Sequence, residues 1–232
     1  MKNKKVLILG VTGLVGEACA LKFIQEEYIV YGIARNQPKP DATQPERFNF
    51  ISMDLVTEQV KLCELIKELS PNSIVIATGN HSKRYNQLSS TELFRLHFDL
   101  VNNIYFSLQR INLKNHCTVI FCSSIMAYIP DRIFPAYSAA KAGLNQYLIS
   151  MGTKPSSQVN FSGIVLGPVH YTNNSIFSVS PKKVAERIFM VSQKNSNSLH
   201  FFPIYGRFLA FMAFLFPNFI ESVIFKFRKV QQ

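Results

Sequence analysis

Residues 6–16 are Val-Leu-Ile-Leu-Gly-Val-Thr-Gly-Leu-Val-Gly, and this stretch decides the fold. Its four leading apolar residues predict a strand that is buried on both faces and ended by Gly10. Gly10, Gly13 and Gly16 then form a GxxGxxG turn before a helix-compatible segment. Glycines at this spacing permit a tight turn, a close approach of the backbone to a pyrophosphate, and close packing of helix on strand. The alternative is an ordinary glycine-rich turn.

The helix that follows this turn would present free N–H groups and a positive dipole end to an anion. We therefore expect the turn to hold the phosphates of a dinucleotide. The residues expected to contact it are Gly10, Thr12, Gly13, Leu14, Val15 and Gly16.

Strand-like and helix-like segments alternate along the rest of the chain. Strands are predicted at 6–9, 28–33, 48–53, 73–77, 118–121, 159–165 and 199–202, and helices at 14–26, 56–69, 91–111, 135–151 and 181–192. This alternation predicts an α/β fold, a Rossmann-like doubly wound parallel sheet of about seven strands with helices on both faces. Ligands of such sheets bind at the carboxyl ends of the strands.

The chain has 232 residues, 47% of them hydrophobic and 17% charged, and no repeat or flexible linker divides it. We expect one domain over 1–232, with 205–232 as a hydrophobic and basic C-terminal helical extension. The four cysteines form no CxxC pair and the five histidines form no cluster, which argues against a metal site and favours a reducing cytoplasm. Lys4 and Lys5 precede an apolar run, but its glycines favour a strand and turn over a signal peptide.

The formal net charge is +11. Such a charge favours nucleic acid, anionic lipid or a phosphorylated ligand as partner, or it is simply a basic surface. The basic residues are dispersed and are not interleaved with aromatics, so we expect no nucleic-acid partner.

The end of the second predicted strand favours NADP(H) over NAD(H). NAD enzymes place an acidic residue there to bind the ribose hydroxyls, whereas this chain has Ala34 followed by Arg35. A guanidinium can bind a 2′-phosphate through two parallel charge-assisted hydrogen bonds. A solvated surface arginine is the alternative. Asp54 and Leu55, after the third strand, are candidates for contacting the adenine.

Tyr137 and Lys141 form a YxxxK pair in the helix predicted at 135–151. Residues four apart share a helical face, so the phenol and the ammonium can point into one cleft. A free tyrosine has a pKa of about 10, and an ammonium about 4 Å away contributes roughly 4 kcal/mol toward lowering it. Ser123 and Ser124 end the preceding strand, and Ser124, thirteen residues before Tyr137, is our candidate for donating a hydrogen bond to a substrate carbonyl. A hydroxyl that only caps local backbone is the alternative.

Taken together, these motifs resemble the short-chain dehydrogenase/reductase family over nearly the whole chain. The matching pieces are GVTGLVG at 10–16, ARN at 34–36, MDL at 53–55, ATGN at 77–80, the serines of CSS at 122–124, YSAAK at 137–141, and LGPV at 166–169 with Thr172. The resemblance implies that Tyr137 is the general acid/base and that Ser124 polarises the carbonyl. It also implies that Lys141 binds the nicotinamide ribose and lowers the pKa of the tyrosine.

Further cofactor contacts follow from the same resemblance. Ala77, Thr78 and Gly79 are expected beside the cofactor, and Pro168, Val169 and Thr172 at the nicotinamide carboxamide. The substrate is expected between 125–134 and 170–180, where Tyr128, Arg132, His170 and Tyr171 are candidate lining residues.

Two features depart from the single-domain reductases. GxxGxxG is more typical of the extended, sugar-nucleotide-modifying branch, although the short C-terminus and the Ser–Tyr spacing resemble the single-domain branch. Those reductases also carry a relay asparagine in the long helix, whereas counting back 27 residues from Ser124 gives His97. His97 either replaces that asparagine, ends the relay or packs against the next helix, and Asn102 or Asn103 serves if the register differs.

The C-terminal segment Phe208–Phe216 is apolar but too short to span a bilayer, and Lys226, Arg228 and Lys229 follow it. A helix folded over the protein's own core and a dimer contact are both favoured over attachment to a membrane surface.

Three functions remain open from the sequence. The leading one is an NADPH-dependent carbonyl reductase or alcohol dehydrogenase acting on a small-molecule carbonyl or alcohol. We expect it to be a homodimer or homotetramer. The second is a sugar-nucleotide epimerase or dehydratase, and the third is a non-catalytic NADP-binding protein.

Overall fold

The computed structural model describes residues 4–37, 46–79, 88–111, 113–129, 134–151, 158–170, 178–194, 197–220 and 222. The residues named above that lie outside these ranges are Asn80, Arg132, Tyr171, Thr172, Lys226, Arg228 and Lys229.

Seven parallel strands form a single sheet. They are β1 (Lys5–Leu9), β2 (Ile29–Ala34), β3 (Phe48–Ser52), β4 (Ser73–Ile76), β5 (Cys117–Ser124), β6 (Val159–Leu166) and β7 (Ser198–Phe202). Their order across the sheet is β3-β2-β1-β4-β5-β6-β7. The chain thus winds in one direction from β1 to β3 and in the other from β4 to β7, and the crevice between β1 and β4 is where such sheets bind ligands. The predicted fold class is confirmed.

Seven α-helices accompany the strands in the described residues. They are α1 (Leu14–Gln25), α2 (Gln59–Leu69), α3 (Ser90–Phe94), α4 (Leu100–Arg110), α5 (Pro135–Met151), α6 (Pro181–Ser192) and α7 (Tyr205–Leu215). A π-helical turn, Arg95–Asp99, joins α3 to α4, and a 3-10 turn, Ile125–Ala127, follows β5.

The sheet has a separate hydrophobic core on each face. One core contains residues of α1 and α6, and the other contains residues of α2, α4 and α5. Alternate residues of β1 serve the two cores, because successive side chains of a strand point to opposite faces. Val6 and Ile8 belong to the α1/α6 core, whereas Leu7 and Leu9 belong to the other. Both faces are closed to solvent, so the strand ends are left for polar groups.

Two helices differ from the sequence prediction at specific points. Helix α2 begins at Gln59 and not at residue 56, because Asp54 accepts a hydrogen bond from the Val56 N–H at 2.8 Å and its own N–H donates to Glu58 at 2.7 Å. These side-chain bonds favour a turn over the first helical residues. The helix predicted at 91–111 contains the π-helical turn, a local change of hydrogen-bond register that apolar periodicity does not reveal.

A third apolar cluster lies at the carboxyl end of the sheet, beyond the two cores. It includes Ile125, Met126, Tyr137, Ala210 and Ala213, so α7 contributes to the same cluster as the predicted catalytic tyrosine. In the described part of the chain, no helix is both long enough and apolar enough to cross a membrane.

The glycine turn brings α1 close to β1. Gly10 has φ +85°, a conformation that favours glycine, and it ends β1 at the point where the chain turns toward α1. A Cβ on Gly16 would lie 2.1 Å from the carbonyl oxygen of Gly10. This backbone contact cannot be relieved by rotating a side chain, so Gly16 fixes the distance between the helix and the strand.

We predict that Gly16→Ala destabilises the protein by about 1–3 kcal/mol, because the added methyl group overlaps the backbone. Gly143→Ala is the matched control, since its Cβ would meet only Phe98 Cδ2 at 3.8 Å, an ordinary contact, within α5. That change should stabilise the protein by up to about 1 kcal/mol through helix propensity. Urea unfolding of both variants measures the difference. Equal stability of Gly16→Ala and the parent would contradict the close packing described here.

Candidate functional site

The glycine turn and the end of β4 form one wall of the crevice. A Cβ on Gly10 would lie 3.0 Å from the Ala77 carbonyl oxygen, which leaves no room for a side chain between the two backbones. Ala77 and Thr78 are buried, and Gly79 follows them with φ 131°. The predicted residues 77–79 therefore lie directly beside the predicted phosphate turn.

Helix α1 begins in this crevice. Its N-cap is Gly13, which makes no side-chain cap hydrogen bond. The N–H groups of the first helical turn have no acceptor within the helix, so they are available to an anion. Thr12 and Leu14 lie at the exposed rim of the turn, while Gly16 is buried beneath it. Backbone donors without obstructing side chains fit the phosphates of a dinucleotide.

The predicted adenosine end of the site lies at the ends of β2 and β3. Arg35 follows β2, and its Nη1 lies 4.0 Å from Oδ2 of Asp54, which follows β3. The backbone is held there by Ser52, whose hydroxyl donates to the Arg35 carbonyl oxygen at 3.0 Å. Leu55 is buried in the adjoining core. The structure thus brings Arg35 and Asp54 together at one corner of the crevice, with both side chains partly exposed.

Tyr137 and Lys141 lie one turn apart on α5, as their spacing predicts, and both are buried. Lys141 Nζ donates to the Cys122 carbonyl oxygen at 2.7 Å and lies 5.8 Å from the centroid of the Tyr137 ring. Sequence motifs did not indicate Cys122 as a partner, because its contribution is a backbone oxygen. The contact ties α5 to the end of β5, two residues before Ser124.

Burial lowers the pKa of Lys141 to about 8. An ammonium inside the protein has lost the water that stabilised its charge, which favours the neutral amine. At neutral pH the group still carries a proton for most of the time, because the pH lies below this value.

Ser124 ends β5 and caps the 3-10 turn that follows. Its hydroxyl oxygen accepts a hydrogen bond from the Met126 N–H at 3.2 Å. Because the oxygen serves as the acceptor, the hydroxyl proton can still donate to another group. Ser123 is also buried. The local capping role that the sequence left as an alternative for these serines is therefore present at Ser124, together with the capacity to donate.

His97 lies at the centre of the π-helical turn and is buried against Tyr137. The two rings meet edge to face, with centroids 5.4 Å apart and an interplanar angle of 77°. Burial, and then the charge of Lys141, lower the pKa of His97 well below its usual value, so the imidazole is neutral near pH 7. The residue at the relay position thus contacts the tyrosine directly. Of the two other candidates, Asn102 accepts a hydrogen bond from the Tyr147 hydroxyl at 2.7 Å, and Asn103 donates its side-chain amide to Gln59 Oε1.

The remaining predicted contacts lie after β6. Pro168 and Val169 are partly or fully exposed, and Val169 pairs with Val179 in an isolated bridge. On the substrate side, Tyr128 packs on the ring of Phe201, and burial raises the pKa of its hydroxyl while the Asn145 side chain opposes that rise.

Asn145 is a residue that the sequence motifs missed. It is buried on α5, four residues after Lys141 and eight after Tyr137, which places it on the same helical face. That spacing was the available signal, but a single amide in a helix with many apolar residues does not stand out.

The model of the NAD dependent epimerase/dehydratase family matches residues 6–153, and no curated protein matches the sequence. Among solved structures, an apo SCOR enzyme from Clostridium thermocellum has a TM-score of 0.73 at 15% identity, covering 87% of this chain and 91% of that one.

Two further solved structures agree with that comparison. A short-chain dehydrogenase from Streptomyces avermitilis has a TM-score of 0.72 at 18% identity, covering 99% of this chain and 97% of that one. A short chain dehydrogenase from Burkholderia cenocepacia, in complex with NADP, has a TM-score of 0.73 at 12% identity and covers 95% of this chain and 96% of that one. These neighbours confirm the predicted resemblance to short-chain dehydrogenases/reductases, and at such identities the likeness is one of fold.

We predict that Lys141→Met stabilises the ligand-free protein at pH 7. The lysine has a folded-state pKa of about 8 against an ordinary value of 10.5. The folded state therefore binds fewer protons between these values, and stability rises with pH across that window. Below pH 8 the buried charge lowers the free energy of unfolding of the parent by up to about 3 kcal/mol. The Lys141→Met variant is free of this penalty, but it also loses the hydrogen bond of the ammonium, which offsets part of the gain. We expect a net gain of about 1–3 kcal/mol at pH 7 that shrinks toward pH 10.

Urea unfolding at these two pH values tests this expectation. Lys61→Met is the control, because Lys61 is exposed and forms only a surface ion pair with Glu58. It should change stability by no more than about 0.5 kcal/mol. If Lys141→Met were less stable than the parent at both pH values, the ammonium would not lower the free energy of unfolding of the parent, and the prediction would be wrong.

Proposed function

The chain belongs to the NAD dependent epimerase/dehydratase family, and from that premise we propose that it is an NADP-dependent oxidoreductase. It transfers a hydride between NADPH and a small carbonyl or alcohol substrate. One observation carries the proposal: Tyr137 and Lys141 lie together on a buried face of α5, tied to the end of β5 by the contact between Lys141 Nζ and the Cys122 carbonyl oxygen.

The proposed cofactor supplies or accepts the hydride when it is bound, and the residues of this chain handle the rest. The first turn of α1 binds the phosphates through backbone N–H groups. Ser124 donates a hydrogen bond to the carbonyl oxygen of the substrate. Tyr137 donates a proton to that same oxygen as it gains negative charge during reduction, and accepts the proton in the oxidation direction.

Lys141 and His97 act on this proton transfer through Tyr137. The positive charge of Lys141 stabilises the phenolate that remains when the proton has left. Because its pKa is about 8, this support is present at neutral pH and declines as the pH rises above that value. Neutral His97 holds the tyrosine ring from the opposite element through its edge-to-face contact. We propose that it occupies the relay position of the family's asparagine.

The preference for NADP rests on Arg35. Its nearest anionic partner in the described residues is Asp54, at 4.0 Å and partly exposed, so their attraction is weak. A 2′-phosphate would bring a stronger charge and a geometry that suits the guanidinium. The Burkholderia cenocepacia structure, which has a similar fold, is in complex with NADP. Asp54 would then be oriented toward the adenine by its bonds to the turn at 54–58.

We predict that Arg35→Ala weakens NADPH binding by about tenfold or more, since charge-assisted hydrogen bonds contribute roughly 1.5–3 kcal/mol each. NADH lacks the 2′-phosphate, so its affinity should change by less than about threefold. The control is Arg110→Ala, an exposed arginine in the last turn of α4, which runs away from the crevice. Fluorescence titration of both nucleotides measures the ratio. Equal weakening of both, or of neither, would remove Arg35 from the 2′-phosphate site.

The catalytic role is tested by Tyr137→Phe. The variant keeps the ring that packs against His97 and lacks only the hydroxyl, so turnover should be abolished while NADPH affinity stays within a few-fold of the parent. Tyr147→Phe is a matched control on the same helix, because its hydroxyl bonds Asn102 away from the proposed reacting groups. NADPH consumption with a panel of ketones and aldehydes provides the rate. A Tyr137→Phe protein with a near-normal rate would refute the assignment.

An epimerase or dehydratase is the second candidate function, favoured by the matching family and by the GxxGxxG spacing. The same Tyr137 would act there, but the hydride would return to the substrate within one turnover. The two functions separate in one assay: a reductase consumes NADPH in proportion to product, whereas an epimerase or dehydratase inverts or dehydrates its substrate with the nucleotide unchanged. Tight NADPH binding without turnover across both substrate panels would instead indicate a non-catalytic binding protein.

A further inference from the structure

Helix α7 packs with its small residues inward and its phenylalanines outward. Gly206, Ala210 and Ala213 are buried, and the two alanines belong to the cluster that contains Tyr137. Phe208, on the opposite side, is 66% exposed, and Phe214 is 81% exposed. Most helices of globular proteins bury their large apolar face, so this arrangement is inverted.

We call the exposed large apolar residues of α7 and its two flanks the aromatic patch. It consists of Ile204, Phe208, Phe211, Phe214, Leu215, Phe216 and Phe219. Residues 204, 208, 211 and 215 follow the i, i+4, i+7, i+11 spacing of one helical face. The other exposed large apolar residues of the described chain are dispersed over several helices, and single residues of that kind need no partner. Seven of them within residues 204–219 are the pattern of an interaction site.

The sequence of α7 and of the segment after it is basic. From residue 204 to the C-terminus it carries four lysines and arginines and one acidic residue, Glu221. One of the four, Arg207, is exposed on α7 itself. The whole chain has a net charge of +11, so this segment contributes about twice its share by length.

We propose that α7 docks on the surface of an anionic phospholipid bilayer, with the aromatic patch in the boundary between headgroups and acyl chains. Apolar area and basic charge are the two features by which interfacial helices bind lipid, and they coincide here. Helix α7 has 11 residues and is therefore about 17 Å long, which is too short to cross the hydrocarbon core of about 30 Å. The helix lies along the surface.

A second copy of the chain fits the aromatic patch less well. Two copies of a chain with a net charge of +11 repel each other, and a twofold contact through α7 would bring Arg207 of both copies into one interface. An anionic lipid surface complements that charge. The docking proposal does not depend on the redox reaction, because it uses no residue of the proposed catalytic or cofactor site.

The experiment is co-sedimentation of the full-length protein with vesicles of phosphatidylcholine mixed with phosphatidylglycerol, and with vesicles of phosphatidylcholine alone. We expect binding to the mixed vesicles, much weaker binding to the neutral ones, and loss of binding in about 1 M salt, where charges are screened beyond about 3 Å. The double variant Phe208→Ser/Phe214→Ser should bind the mixed vesicles about tenfold or more weakly. Both positions are exposed, so the variant should keep the parent's thermal unfolding midpoint.

Val60→Ser/Phe106→Ser is the matched control. It also replaces two exposed apolar residues, on α2 and α4, and should bind as the parent does. Equal binding of the two double variants would overturn the proposal, as would equal binding to both kinds of vesicle. If no vesicles bind and Phe208→Ser/Phe214→Ser converts a dimer to a monomer, a second copy covers the aromatic patch. If neither vesicle binding nor molecular mass responds to this variant, the proposal is overturned.

Discussion

The sheet is closed by apolar side chains on both faces, and this constraint determines where chemistry can occur. Val6 and Ile8 pack into one core and Leu7 and Leu9 into the other, so β1 has no polar face. Polar groups that are to meet a ligand are then left the strand ends, and parallel strands all end at the same edge. The glycine turn, Ala77–Gly79, Ser124 and the arginine after β2 lie at that edge for the same physical reason. The position of the site therefore follows from the topology of the sheet and not from any one side chain.

At that edge, the buried ammonium of Lys141 is the group whose burial most opposes folding. Its pKa near 8 reflects a charge held away from water with one carbonyl oxygen as its described hydrogen-bond partner. A residue chosen for stability alone would be apolar at this position, because α5 otherwise packs into hydrophobic clusters on either side. The same burial that opposes the charge strengthens its effect on a neighbouring phenol, since the effective dielectric is lower than in water. Neutral His97 adds no competing charge, and its own low pKa is partly the result of Lys141.

Much of the fold could be predicted from the sequence, because its signals are local. The bounds of α5 and α6 and the strand β1 follow from apolar runs, prolines and periodicity, and the Tyr137–Lys141 pairing follows from helical geometry. What the sequence could not predict depends on contacts across the chain. The start of α2 depends on competing bonds between Asp54 and Glu58, and the π-helical turn depends on hydrogen bonds that no residue pattern encodes. The backbone oxygen of Cys122 has no signature in a side-chain motif at all.

The orientation of α7 is another feature that depends on contacts across the chain. One side of this helix faces the cluster that contains Tyr137, and the other side faces the surface of the protein. Alanine and phenylalanine both count as apolar, so the sequence of α7 alone does not distinguish an inward face from an outward one. Small residues allow α7 to approach the cluster that contains Tyr137, and even at Gly206 an added Cβ would be in ordinary contact with Ile125 Cδ1, at 3.7 Å. Once Ala210 and Ala213 take the inward positions, helical periodicity forces Phe208, Phe211 and Leu215 to the other side. A helix with its side chains is about 10–12 Å across. Whatever covers the aromatic patch therefore lies about one helix diameter from the cluster that contains the proposed catalytic tyrosine, and the inward and outward requirements on α7 must be met by the same eleven residues.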